Sequence, residues 1–361
     1  MPIYKWDNAA FAGEHVLDNP PPFHQKLSNY GARPYWSPDG KRIAFVEKAY
    51  GDVHEIDLET RQIRNLTGNL GKHHSFLRVL FLRNGDYLLI GPKEFKHHHV
   101  SRYVESELWY MDKDANEPPR PMGLTFFEGI GVSSIADRIT YSRHGEHDPR
   151  LGGFEDFECY VSELDYGPNG AELGATRPIY RSPTGLRRPE PQDFRNNDTE
   201  VIMAEYIGPR DRSTTWKTQT RGIDLKTLDV KTYIDEPLTH NEPEGIFPDQ
   251  QHICLESSCD FVDQFPPIDL WKLKLDGSGR RVRMTRMFDR QPWRASNSNV
   301  SPDGKWLAFM VNTYTSEPGF GMGIGLMDLE AWEKSEYAQQ WETPAEREVI
   351  RRRNGEYADT K

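Results

Sequence analysis

The sequence predicts an all-β chain: a six-bladed β-propeller of four-stranded blades, closed by an N-terminal strand and followed by a short C-terminal helix. Two segments far apart in the chain carry the same phrase, Ser37-Pro-Asp-Gly-Lys-Arg-Ile-Ala-Phe45 and Ser301-Pro-Asp-Gly-Lys-Trp-Leu-Ala-Phe309. Each reads as strand, tight turn and strand, because Asp-Gly supplies the positive φ that a hairpin turn requires. Weaker copies of the turn occur at Arg83-Asn-Gly-Asp86, Ile135-Ala-Asp-Arg138, Arg195-Asn-Asn-Asp198 and Phe247-Pro-Asp-Gln250. That makes six turns spaced by about 50 residues, the period of propeller blades. Composition agrees: with 36% hydrophobic and 12% aromatic residues in 361, the chain suits many short half-buried strands.

After each of these hairpins comes a second one. It is visible in Glu55–Thr67, in Gly222–Ile234 and in Leu270–Thr285, where apolar and polar residues alternate around Asp, Thr or Gly turns. Four strands per repeat make one blade, and blades bury their faces against their neighbours. The expected organisation is a propeller over residues 1–330 with blades starting near 31, 73, 128, 187, 240 and 295. The sixth repeat shows only three strands, ending at Leu326-Met-Asp-Leu329. Residues 23–28 stand before the first blade as Gln62–Thr67 stands before the second, so they are expected to complete the last blade and latch the ring. Residues 331–361 form a C-terminal helical tail. In it Thr343-Pro-Ala-Glu346 reads as an N-cap, a proline at the first helical position and a capping glutamate. Its weakly amphipathic face predicts a surface appendage.

Charge and cysteine usage exclude several classes. The formal net charge of -11 with interspersed signs argues against a grip on nucleic acid phosphates. Cys159, Cys254 and Cys259 form no CxxC pair, and no basic residue adjoins the Cys254/Cys259 pair to activate a thiol. A reducing, cytoplasmic location is expected, with periplasm or exterior as the alternative if a signal peptide has been removed. No stretch approaches the length of apolar residues that a membrane helix needs. The expected partner is a small molecule or oligosaccharide, with neither nucleic acid nor membrane, and the oligomeric state is not legible.

The Ser-Pro-Asp-Gly-Lys-x-hydrophobic-Ala-Phe phrase at 37–45 and 301–309 resembles the repeat of TolB-like and related WD-like bacterial propellers, over about residues 20–330. The resemblance implies the fold and leaves function open, since such propellers include interaction scaffolds, the non-catalytic domain of prolyl oligopeptidases and metal-dependent oligogalacturonate lyases. The chain lacks the Gly-x-Ser-x-Gly elbow and the hydrolase domain of the peptidases. The lyases hold a divalent metal with several histidines and a glutamine; His240 and His74 match parts of such a set, and the other ligands have no matching motif.

In a propeller the innermost strand of each blade leads to the tight turn, so residues just before the six turns line the channel. These positions are polar here: Arg33 in blade one, His74 and Arg78 in blade two, Glu128 in blade three, Arg188 and Glu190 in blade four, and His240, Glu242 and Glu244 in blade five. Blade six adds Arg294, Asn297 and Asn299. His240, Glu242 and Glu244 recur with period two and are expected to face one side of an extended segment. Pro243 removes a donor and suggests an approach loop in place of a strand interior. The expected catalytic residues are His240, Glu244, Glu242 and Glu190, working as acid and base. Arg33, His74, Arg188, Asn297, Asn299 and Arg294 are expected to bind substrate. A divalent metal (Mn, Ca or Zn) is an alternative use of His240, His74 and Glu244. His97-His-His99 reads as a solvated loop, and the segment around His144 and His147 as a turn.

The function expected from this set is a catalytic propeller, a carbohydrate-active lyase or hydrolase, acting on a glycoside or uronate at the channel mouth. A non-catalytic binding scaffold of the TolB type is the alternative. Four long connections, 93–107, 143–156, 205–219 and 259–267, would wall such a pocket if they share its face.

Overall fold

The structure, a computed structural model, describes residues 13–183, 185, 187–208, 217–236, 239–259, 268–316 and 319–353. Among them are six antiparallel sheets of four strands each. The innermost strands are Ala32–Trp36, Arg78–Phe81, Phe127–Val132, Arg187–Arg195, Asn241–Ile246 and Trp293–Val300. This is the expected six-bladed propeller. The repeated turn works identically at both ends of the chain. Ser37 Oγ donates to Asp39 Oδ1 at 2.6 Å while the Lys41 amide donates to the same oxygen at 3.1 Å. Ser301, Asp303 and Lys305 repeat both distances. Gly40 and Gly304 hold φ of 68° and 74°, the left-handed conformation that only glycine adopts without strain.

Each of six apolar clusters lies between two neighbouring blades, so the core is a ring of interfaces around a polar axis. Ring closure follows the expected route. Strand His24–Ser28 pairs with Gly323–Asp328 as the outermost strand of the sixth sheet. A strand from the N-terminus thus completes a blade whose other three strands lie near the C-terminus, and opening the ring would expose an apolar interface.

One expectation about local structure changes. Pro243 lies inside the innermost strand of blade five, opposite Leu255. An innermost strand is a sheet edge, and a proline whose missing N–H would have faced the channel costs no ladder bond there. The stretch between blade six and the C-terminal helix is packed: Trp332 is 2% exposed and joins Trp293, Leu307 and Met327 in one cluster. Glu342 exchanges two backbone hydrogen bonds of 2.9 Å with Arg281, extending the outer edge of blade five. Only then does helix Pro344–Arg353 begin, with the Glu346 amide donating to Thr343 Oγ1 at 3.2 Å and the Thr343 amide donating to Glu346 Oε2 at 2.8 Å, the capping box read from the sequence.

Candidate active site

All six innermost strands start on one face, here the upper face, and end at the tight turns on the other. The long connections join second to third strands, so they return to the upper face. There a cavity of about 190 Å³ opens at the channel mouth. Helix His98–Tyr103 from the first long connection contributes His99, Arg102 and Tyr103, and the second contributes Phe154. His99 therefore lines the cavity from a helix and not from a loop, while staying exposed to solvent as expected. Residues 209–216 and 260–267 of the other two connections lie outside the described residues, but Tyr206 and Ile268 beside them line the cavity. His144 and His147 sit in a turn, as read, yet both are buried under this wall.

The bare strand alternation does not aim the site; bulges do. Register shifts interrupt the innermost strands of blades one, three, four, five and six. Two of them carry residues in the left-handed region, Arg33 at φ 55° and Asn297 at φ 45°. A non-glycine residue held there is strained and persists because its surroundings over-determine it, a pattern concentrated at functional sites. The Asn297 amide donates to Glu256 Oε1, and its Nδ2 donates to Glu244 Oε1 at 3.1 Å.

One wall of the cavity is acidic. His240 Nε2 lies 3.2 Å from Glu242 Oε2 and 3.9 Å from Glu256 Oε2, while its Nδ1 lies 3.1 Å from the Thr218 hydroxyl. Gln192 Nε2 donates to Glu242 Oε1 at 3.1 Å, and the Tyr206 hydroxyl also bonds Glu242. Burial works against charge on both partners, but their contact prevails: Glu242 is held below the usual carboxylate range and His240 above the usual imidazole range. Glu190, 4% exposed, has no such partner among the described residues. Burial first, and then the nearby Glu128 and Glu242 charges, push it up to about 8. Its stem lies against Gly129, where a Cβ would come within 1.9 Å of Glu190 Cγ, so blade three leaves out a side chain to make room.

The opposite wall is basic and aromatic. Glu128 is gripped by Arg33 Nη2 and Arg102 Nη2, each at 2.5 Å from Oε1; burial opposes its charge, and the two guanidiniums overcome this to hold it well below the usual range. Tyr103 stacks on Phe127 with centroids 5.2 Å apart and an 18° tilt. Arg188 of blade four and Arg294 of blade six, which flank blade five, also line the cavity, Arg294 Nε donating to Asn312 Oδ1 at 2.8 Å.

The structure thus brings Arg33, Arg188, Glu190, His240, Glu242, Arg294 and Asn297 to one cavity. Three other expected residues lie elsewhere. His74 stands partly exposed before blade two and meets Asp52 Oδ1 at 2.8 Å, outside the cavity. Asn299 accepts the Trp36 amide at 2.9 Å and the Trp36 indole at 3.0 Å, which ties blade six to blade one. Glu244 faces the channel one level lower, at a neck of about 30 Å³. The group able to hold a cation is accordingly His240, Glu242 and Glu256, whose donor atoms all lie within 4.8 Å of one another, in place of His240, His74 and Glu244. Glu256, Arg102 and Tyr206 escaped the reading of residues before turns, since they come from second strands and a connection. Glu256 had no such signal: counting back from Phe247 opposite His252 sets it opposite Pro243, and only the bulge between Glu244 and Ile246 brings it opposite Glu242.

No family model and no curated protein matches this sequence. Among solved structures, the chain is similar to TolB of Acinetobacter baumannii at 14% identity and TM-score 0.42, over 80% of this chain and 65% of that one. It is similar to a gluconolactonase of Xanthomonas campestris at 12% identity and TM-score 0.50, over 84% and 89%. An oligogalacturonate lyase of Vibrio parahaemolyticus matches at 12% identity and TM-score 0.45, over 85% and 93%. These likenesses are of the fold.

Proposed function

We propose that the chain is a catalytic propeller that works on a small polar substrate, a glycoside or a uronate, at the upper mouth of its channel. One observation carries this reading: a single cavity presents a buried carboxyl group without a partner among the described residues, Glu190, and a carboxylate bound to an imidazole, Glu242 with His240. Environments that drive two carboxyl groups apart in protonation assign an acid and a base. Glu190 gives its proton to a departing oxygen. Glu242, with its charge shared by His240, takes one from water in a hydrolysis or from carbon in an elimination. The Tyr103 and Phe127 rings offer an apolar wall to a sugar ring.

A panel of glycosides and uronates tests this, scored for reducing ends and for the ultraviolet absorbance of an unsaturated product. Turnover that Glu190→Gln and His240→Ala each lower at least a hundredfold, with unchanged melting, supports it. Undiminished turnover in both variants sinks it, and saturable binding without turnover favours a binding module.

A second reading rests on the Glu242–Glu256 pairing. Two carboxylates directly opposite on neighbouring strands repel, and with His240 they form a nitrogen and oxygen donor set that fits a divalent cation such as Mn or Zn. A cation held there would polarise substrate oxygens. Elemental analysis, with melting before and after chelation, checks it: a stoichiometric metal whose removal lowers the melting temperature supports the reading, and a metal-free protein indifferent to chelator rejects it.

A further inference from the structure

Below the catalytic wall the cavity narrows to the neck, and the polar groups there are not balanced. Arg33 is 4% exposed and Arg78 is 8% exposed, and both line the cavity and the neck beneath it. Arg33 spends one nitrogen on Glu128; its Nε and Nη1 are buried without a partner. Arg78 makes no hydrogen bond and no ion pair among the described residues, and the charges acting on it do so from a distance. Arg102 adds a third guanidinium, spent on the same Glu128. Glu128 thus engages two of the three buried cations, whereas Arg78 feels Glu244, Glu128, Glu190 and Glu242 only from a distance and meets no hydrogen-bond acceptor among the described residues.

Native proteins rarely leave buried donors unmet, and a charged donor left so costs more than a neutral one. Water lifts part of that cost and supplies no charge. A planar or tetrahedral oxyanion supplies both acceptors and charge, in the geometry for which guanidinium groups are suited. The neck beneath has room for about one water molecule, roughly 30 Å³. An oxyanion entering from above therefore stops where Arg33 and Arg78 meet, above Glu244 of the neck, and offers Arg78 the acceptors it lacks. Gly319 supports the arrangement: a Cβ there would lie 3.1 Å from Arg33 Nη2, so the bare backbone lets the guanidinium lie flat against it.

We infer that the cavity floor is an oxyanion site in which Arg33 and Arg78 together hold one carboxylate or one inorganic oxyanion. This goes beyond the proposed acid and base chemistry and does not depend on it. The oxyanion comes either as the carboxylate of a ring-shaped substrate or as free phosphate.

Calorimetric titration in a low-chloride buffer with glucuronate, glucose and inorganic phosphate tests the site on the full chain. The expected result is saturable binding of glucuronate or phosphate at least tenfold tighter than of glucose. Tighter binding of glucuronate identifies a substrate carboxylate, and tighter binding of phosphate identifies the free anion. Arg78→Gln removes a side chain on which no partner depends, so it keeps the fold while weakening the preferred oxyanion at least tenfold. Arg33→Gln does the same but also loosens Glu128, so Arg78→Gln decides if it unfolds. Oxyanions that bind no better than glucose, or an Arg78→Gln protein that binds them unchanged, overturn the inference. Glu190→Gln keeps oxyanion binding, so failure of the catalytic reading and failure of this one give different results.

Discussion

Arg33 and Glu128 meet at 2.5 Å across the mouth of the channel, the first from blade one and the second from blade three, with Arg102 on the same carboxylate. The pair joins two blades that share no sheet edge, so it braces the ring where the cavity lies. Removing the carboxylate strands two buried guanidiniums. Glu128→Gln should therefore lower stability by roughly 3 to 5 kcal/mol, the cost of breaking a buried ion pair from one side. Urea unfolding measures this; a loss under about 1 kcal/mol would show that solvent already screens the pair.

Glu190 and Asp193 make stability fall as pH rises. Burial pushes Glu190 from 4.5 to about 8 and Asp193 from 3.8 to about 7. Both pKa values are raised on folding, so their stabilising contributions are complete below about 4 and are lost as pH climbs toward 7 and 8. The linkage slope is at most about 1.4 kcal/mol per pH unit for each group. Denaturant unfolding from pH 5 to 9 should show this decline, and Glu190→Gln and Asp193→Asn should each flatten it. A slope unchanged in both variants would contradict these protonation states. If Glu190 is the acid, kcat also declines above about pH 8.

Gly129 controls Glu190 through space. A methyl group at position 129 would overlap the Glu190 stem at 1.9 Å, so Gly129→Ala should swing the carboxyl group away from the cavity. Turnover on an active substrate should fall at least tenfold in kcat, since misplacement by an ångström suffices for such losses. Steady-state kinetics beside a melting curve separates this from unfolding: an active Gly129→Ala protein would show that Glu190 has room to adjust.

The ring depends on its N-terminal strand. Deleting residues 1–30 strips His24–Ser28 from the sixth sheet and uncovers Gly323–Asp328. Cooperative thermal unfolding should disappear, and a melting curve like that of the full chain would show that the latch carries no stability.

Trp332 tests whether the chain beyond blade six is structural. Buried against Trp293 and Met327, it should cost roughly 3 to 5 kcal/mol on truncation, the range for a large core aromatic. A Trp332→Ala protein within about 1 kcal/mol of the parent in urea would return that segment to the surface.

Fold and site differ in how much of each the sequence by itself determined. The Ser-Pro-Asp-Gly turns, the alternation around them and the missing strand of the last repeat are local statements. A φ of 68° at Gly40 or a hydroxyl bond from Ser37 to Asp39 is decided within four residues. Repeated six times, such statements specify the number of blades and the strand that closes them. They also place Glu190, His240 and Glu242 toward the channel, because residues before each turn must face it.

Tertiary structure alone decided which of those residues meet. Bulges of one residue turn Arg33 and Asn297 into the cavity, and no alternation rule registers them. Arg102 arrives on a helix from a connection, and Glu256 from a second strand. Whether Glu190 holds its proton depends on burial beside Glu128 and Glu242, groups brought from blades three and five. Charge and desolvation act through space and not along the chain, so a site assembled from six blades acquires its chemistry only when the ring closes.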